Sequence, residues 1–489
     1  MASDYYSLLG IPYNATPDEI RAAYFQLARN LHPDINPDPS ARETFLAIQS
    51  AYEVLSNVKK KEAYDASLPL DQRSAPEISA SIKYSQTVIP CIEEPQLVYA
   101  LVELVCTADV KKNTLPSSHV CLVLDRSTSM QGQRMDMVKS SAINLLQQLR
   151  PQDMLSVVTF SDRAEVLIPP TRVSALNKSD SRINLLQTGG GTEILQGLTL
   201  GVEQLHQTER SYMRCLVLLT DGHTYGDEKD CLQLAKDAAL DGITIHVLGI
   251  GHEWNDDLMD QVSSWSGGNA SYVTSPRDLD NFLTQKLTEL GSVYAHSLQF
   301  QFECPADVEM RYAFRLNPNT GPLSTKSPIL LGDIQHRKSI NFLLEFLIPP
   351  VPRETERFSL AQGQIWMELP TRSVSRARIF FDMNRPVRSK PEMEAPPAVI
   401  VEAMSRLTLY RLQEKVRAEV SDGEIEKATK HMHYLATHLL SQGDRELAHT
   451  VLIEAERVQQ SRRFSGEGEK RIKYGTRALL LPTRPELKL

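Results

Sequence analysis

The sequence predicts a multidomain protein of class α + α/β + β. A helical N-terminal unit is followed by a doubly wound α/β unit inserted in a β-sandwich, and a helical bundle closes the chain. Three observations predict this. Apolar residues recur at helical spacing up to about residue 68 and again from about residue 398. Between about 118 and 291, short apolar runs at 120–124 and 215–219 and a strand pattern at 244–250 alternate with amphipathic segments. Such alternation implies a mostly parallel sheet covered on both faces. From Ser297 to about 387 the period changes to two, with Leu298, Phe300 and Phe302, then runs at 341–348 and 376–381 between Pro-bearing turns. Several short strands at that spacing read as a β-sandwich.

Length and charge narrow the function classes. A chain of 489 residues exceeds what one core normally holds, and its 41% hydrophobic content suffices for several. A formal net charge of −8 argues against a nucleic-acid binder, which normally carries a basic face. No run approaches the roughly 18 apolar residues of a membrane span. The start, Met-Ala-Ser-Asp-Tyr-Tyr, lacks the basic and apolar regions of a signal peptide. The six cysteines (91, 106, 121, 215, 231 and 304) form no Cys-x-x-Cys pair. They read as reduced buried thiols and not as disulfides or zinc ligands. The expected location is cytoplasmic.

Within the N-terminal unit, Asp4 caps a short helix that Gly10 ends. Thr16-Pro17-Asp18-Glu19 is a capping box with Pro at the first helical position, and Ile20, Tyr24, Leu27, Ala28 and Leu31 follow at helical spacing. The stretch from His32 to Pro39 carries three prolines and must break that helix. Ser40-Ala41-Arg42-Glu43 opens the next one, lined by Phe45, Ile48, Tyr52 and Leu55. With Asp4-Tyr5-Tyr6, Leu8-Leu9-Gly10, His32-Pro33-Asp34, Ala51-Tyr52-Glu53-Val54-Leu55 and Tyr64-Asp65, residues 1–68 resemble the J-domain of DnaJ co-chaperones. The resemblance implies that His32, Pro33 and Asp34 dock on a heat-shock-70 (DnaK-type) ATPase and trigger its hydrolysis. Arg21 and Arg29 are what remains of the family's basic second helix. Six basic against nine acidic side chains in residues 1–68 imply weak long-range steering toward that partner. The Gly/Phe-rich stretch and the Cys-x-x-Cys-x-Gly-x-Gly repeats of full DnaJ proteins are absent from the sequence.

Residues 69–94, with Pro69, Pro76 and Pro90, read as an extended linker that passes into strands from Ile78, and 95–117 as strands, those over 78–110 being expected to join the sandwich. In the α/β unit, 118–291, the run at 120–124 ends in Asp125, Ser127 and Ser129. A loop of Gly189, Gly190 and Gly191 presents Thr192, and the run at 215–219 ends in Thr220-Asp221-Gly222. All five oxygen donors leave strand ends or loops where open α/β sheets bind ligands, and all are hard donors suited to Mg²⁺ or Mn²⁺. In this order the pieces resemble the von Willebrand factor A (vWA) domain, a Rossmann-like fold, and its metal-ion-dependent adhesion site. By that resemblance Ser127 and Ser129 bind the ion directly and Thr192 directly or through water. Asp125 and Asp221 hold the coordinating waters, and an acidic side chain of a partner takes the sixth position.

The sandwich is expected over 292–388, the helical bundle over 389–460 and a tail over 461–489, with an apolar closing segment at 478–481. His431, His433 and His438 lack a completing acid or Cys nearby in the sequence and read as surface residues. The expected function is a J-domain co-chaperone adaptor that holds a protein partner through the metal and recruits a DnaK-type ATPase. The alternative is a metal-dependent interaction scaffold whose J-domain is weak or vestigial. An enzyme ranks last, because no general base or second carboxylate cluster accompanies Asp125 and Asp221.

Overall fold

The structure is a computed structural model that describes residues 5–9, 11, 15–31, 39–67, 76–109, 116–176, 181–209, 212–222, 226–251, 253–370, 376–389, 395–441 and 443–479. The N-terminal unit contains helices α1 (Tyr5–Leu9), α2 (Pro17–Leu31), α3 (Pro39–Leu55) and α4 (Val58–Ser67). The capping box forms as expected: Glu19 Oε2 accepts from Thr16 N at 2.8 Å, and Thr16 Oγ1 accepts from Glu19 N at 3.4 Å. The side chains of the second box, Ser40 and Glu43, lie outside the described residues. Tyr6, Leu9, Ile20, Ile48 and Leu55 form one small core, flanked by the stacked rings of Tyr24 and Tyr52 at 4.2 Å. Tyr6 Oη donates to Asp65 Oδ1 at 2.6 Å, which ties α4 to that core.

The described residues hold sixteen strands in three sheets. Two five-stranded sheets make the sandwich, in the orders β1-β3-β14-β11-β12 and β13-β10-β15-β16-β2. Here β1 is Ile78–Tyr84, β2 Ile89–Pro90, β3 Gln96–Cys106, β10 Val293–Glu303, β11 Glu309–Asn317, β12 Gly321–Leu323, β13 Ile329–Gln335, β14 Ser339–Ile348, β15 Arg357–Glu368 and β16 Arg376–Arg388. Strands from before and after the α/β unit therefore share one sheet, with β3 antiparallel to β14 from Gln96↔Ile348 to Val105↔Ser339. The strands expected from Ile78 onward do join the sandwich, and the linker boundary at 94 is corrected to lie before them. Ile78, Ile82 and Tyr84 alternate with polar residues and pack on the sandwich core, so β1 and β2 already belong to the sheets.

The inserted unit has the sheet order β6-β5-β4-β7-β8-β9. Its strands are β4 (Ser118–Asp125), β5 (Met154–Phe160), β6 (Ala164–Arg172), β7 (Met213–Thr220), β8 (Ile243–Ile250) and β9 (Ala270–Val273). All pairs are parallel except β5 with β6. Every residue of β4, β7 and β8 is buried, as central strands require, with unbroken apolar runs in β4 and β7 and with Thr244 and His246 buried in β8. The winding reverses between β4 and β7, and the crevice beyond their carboxyl ends is where such folds place ligands.

After the sandwich come the helices Ala398–Ser421, Ile425–Ser441, Arg445–Ser461 and Gly466–Leu479. Their core includes Leu407, Tyr410, Leu435 and Val451 and continues onto Leu101, Phe314 and Leu343 of the sandwich. That sheet is thus covered on both faces, which explains why β14 is buried nearly throughout and not at alternate positions. The fourth helix corrects the reading of 461–489 as a tail with an apolar closing segment. Its buried face holds Ile472 but also Lys470, Lys473 and Thr476, so the apolar stripe is too thin to register as a helix. Residues 480–489 lie outside the described residues.

Candidate metal centre

Three loops converge beyond β4 and β7. Arg126 N donates to Phe160 O at 2.8 Å, Gly189 N to Arg126 O at 2.8 Å, Thr128 N to Gly190 O at 3.2 Å and Glu193 N to Ser161 O at 2.9 Å. Asp162, which the sequence reading passed over, accepts from Gly191 N at 2.6 Å and so pins the Gly-rich loop. A Cβ on Gly190, whose φ is +88°, would strike that same carboxylate.

Within this frame four of the five proposed donors form one chain of contacts. Asp125 Oδ1 accepts from Ser127 N at 2.8 Å, and Asp125 Oδ2 from Thr220 Oγ1 at 2.6 Å. Ser127 Oγ lies 3.0 Å from Ser129 Oγ, and Ser129 Oγ donates to Asp221 Oδ1 at 2.6 Å. Thr192, the fifth, stands against Gly222, where an added Cβ would come within 2.9 Å of its methyl. A larger residue after Asp221 would push Thr192 out of the group. Asp125 and Asp221 are fully buried, whereas Ser129 opens to solvent.

The donor set fits a small hard cation. Adjacent ligands of an octahedron with bonds near 2.1 Å are about 3.0 Å apart, the Ser127–Ser129 hydroxyl spacing. Both oxygens of Asp125 already accept protein hydrogen bonds, which suits it to an outer role. Burial pushes its carboxyl above the ordinary value, and Asp221 adds to this, against hydrogen bonds from Ser127 and Thr220. A bound cation would reverse that balance.

A residue the sequence did not single out supplies positive charge here. The Arg134 guanidinium pairs with Asp221 Oδ2, and its Nη1 lies 3.3 Å from Ser129 O and 3.9 Å from Glu253. It stands nine positions beyond Asp125, at the start of the helix Gln133–Gln148, and nothing in local periodicity points it at the site. A fixed charge beside the site repels an incoming divalent ion. Arg134→Gln is therefore expected to tighten Mg²⁺ binding, up to about tenfold at low salt, in calorimetric titration. Weaker binding in that variant would give Arg134 a supporting role instead.

Elsewhere the proposed site residues separate into two groups. Arg21 and Arg29 are exposed on α2, with Arg21 Cζ 5.7 Å from the Phe25 ring centre. His32, Pro33 and Asp34 lie outside the described residues. His431 is held by Glu419 at 2.7 Å, a partner the sequence reading did not place beside it. A trio of carboxylates at ligand spacing, Asp256, Asp257 and Asp260, is instead neutralised by Lys470, Lys473, Arg417 and Arg477. Among the described residues no helix is long and apolar enough to cross a membrane.

Comparison with known proteins agrees with this division. Residues 4–65 match the DnaJ domain, 119–285 the von Willebrand factor type A domain, and 398–482 the Sll0103-like C-terminal alpha-helical domain. The chain is 31% identical over 255 residues to the uncharacterized protein sll0103 of Synechocystis, covering 50% of this chain and 60% of that protein. It is 55% identical over 65 residues to chaperone protein DnaJ 2 of Streptomyces avermitilis, covering 13% of this chain and 17% of that one. The chain thus spans less than two thirds of the length of either relative. In fold it is similar to a von Willebrand factor type A protein from Catenulispora acidiphila, with a TM-score of 0.68 at 12% identity, covering 82% of this chain and 97% of that one. The ArnB paralog VWA2 from Sulfolobus acidocaldarius superposes with a TM-score of 0.56 at 17% identity, covering 83% and 99%.

Proposed function

We propose that this chain, which carries a DnaJ domain ahead of a von Willebrand factor type A domain set in a β-sandwich, is a cytoplasmic co-chaperone adaptor. The α/β site holds a protein partner through an acidic side chain on Mg²⁺ or Mn²⁺, and the J-domain brings a DnaK-type ATPase to that partner. The adaptor carries out no chemistry of its own. The observation that carries the reading is the joining, on one chain, of a J-domain to a cluster of five hard oxygen donors at a switch point. Ser127, Ser129 and Thr192 would hold the ion, with Asp125 and Asp221 behind them. The ion would supply a Lewis-acidic position for a carboxylate. Affinity for the free ion should be weak, because Mg²⁺ keeps several waters and two carboxylates serve it.

Asp221→Ala removes one of those carboxylates together with the Ser129 hydrogen bond. It is expected to abolish Mg²⁺ binding in calorimetry and Mg²⁺-dependent capture of a partner from lysate. Metal binding equal to the parent would remove this site from consideration. The scaffold reading, with a weak J-domain, draws on the acidic balance of residues 1–68 and is separated by ATPase stimulation.

A further inference from the structure

The carboxylate that closes the capping box of α2 also reaches out of the N-terminal unit. Both Glu19 oxygens meet the guanidinium of Arg378 on β16, Oε1 with Nη1 and Oε2 with Nη2. This is the fork geometry that arginine and carboxylate share, and it fixes orientation as well as distance. The Arg378 side chain is only 2% exposed. It lies over the Phe380 ring at 4.5 Å and the Trp366 ring at 5.8 Å, and its Nη1 donates to Gln364 Oε1 at 3.3 Å. Two aromatic faces and an amide therefore hold the guanidinium before any carboxylate arrives.

We propose that this face of β15 and β16 is the seat of the J-domain, with Arg378 gripping Glu19 so that the J-domain is held in one orientation and not carried on a loose tether. The seat leaves the helix free where a chaperone would dock. At about 100° per residue, Arg21, Phe25 and Arg29 fall within about 80° of one another on α2, centred about 120° away from Glu19. All three are exposed, Phe25 by 55%. The contact aims that face outward and does not cover it. The Arg378 hydrogen bonds draw the Glu19 carboxyl down to about 2, so the pair stays ionised near neutral pH.

The test uses the full-length chain and two single variants. Glu19→Gln keeps a side chain that can close the capping box while removing the charge. Arg378→Gln removes the grip and leaves the J-domain sequence untouched. Loss of a charge-assisted pair should shift the seated equilibrium by about ten- to a hundredfold toward release. Transverse relaxation of the J-domain amides reads this directly. In the parent they should relax as part of the whole chain. In either variant they should relax several-fold more slowly, with shifts inside the J-domain core unchanged. Should one variant fail to fold, the other decides alone. Parent amides that already relax like a small free domain, or variants that match the parent, would overturn the seat.

Discussion

Full-length protein carrying His32→Gln or Asp34→Asn is expected to lose its stimulation of a DnaK-type ATPase entirely, falling to the chaperone's basal rate. The J-domain match is specific, at 55% identity over 65 residues to a DnaJ chaperone. Both substitutions fall between the end of α2 at Leu31 and the start of α3 at Pro39. The packing of the unit rests on other residues, namely Ile20, Ile48, Leu55 and the Tyr24–Tyr52 stack. Helicity by circular dichroism should therefore not change, which separates loss of the docking contact from loss of fold. The charge balance adds a second reading from the same assay. With six basic and nine acidic side chains in residues 1–68, attraction at long range is small. Stimulation by the parent should fall little between low and physiological salt. Stimulation that survives both substitutions would remove the co-chaperone reading and favour the scaffold.

The parts of this molecule that were legible in the sequence are those written in local pattern. Unbroken apolar runs marked β4 and β7 as central strands, and the hydroxyls and carboxylates at their ends are the groups the fold brings together. The Thr16 capping box formed as spaced, since its partners are three residues apart. What stayed hidden depends on contacts between distant segments. Arg134 reaches Asp221 across 87 positions, and Arg378 reaches Glu19 across 359, and neither arginine differs in its local pattern from a surface residue. The helix Gly466–Leu479 was obscured because charged residues occupy its buried face, which inverts the usual reading of polarity as exposure.

That buried face carries the largest expected loss of stability, in Lys473→Met. The Lys473 side chain is 1% exposed and meets Asp256, Asp257 at 2.8 Å and Asp260 at 2.7 Å, all on the helix Asp256–Trp265 of the α/β unit. Lys470 meets Asp256 at 2.7 Å, Arg417 meets Asp256 at 3.2 Å and Asp257 at 2.9 Å, and Arg477 meets Asp260 at 2.8 Å. The network fastens the C-terminal helices to the α/β unit. Burial alone would raise these carboxyls, but the surrounding cations, Lys473 foremost at Asp256 and Asp257 and Arg477 at Asp260, hold all three below the ordinary 3.8. A folded-state value below the unfolded one contributes stability that is complete above the unfolded value and is lost as pH falls through the lowered one. The parent should therefore hold its stability at pH 5 and lose this contribution only below about pH 4. Methionine matches the Lys stem but leaves the buried Asp256 and the half-buried Asp260 short of a cation, at a cost of about 3–5 kcal/mol at pH 7. Asp257, largely exposed, should add little. In the variant, burial is expected to outweigh the remaining Lys470, Arg417 and Arg477 and to raise the carboxyls, so that the sign reverses and the variant regains stability as pH falls from 7 toward 5. Urea unfolding of both proteins at pH 7 and pH 5 checks this. The gap should narrow in acid, and Asp260→Asn in the Lys473→Met background should recover part of it at pH 7. A loss under about 1 kcal/mol, or a gap that does not respond to pH, would show that the remaining cations carry the network without Lys473.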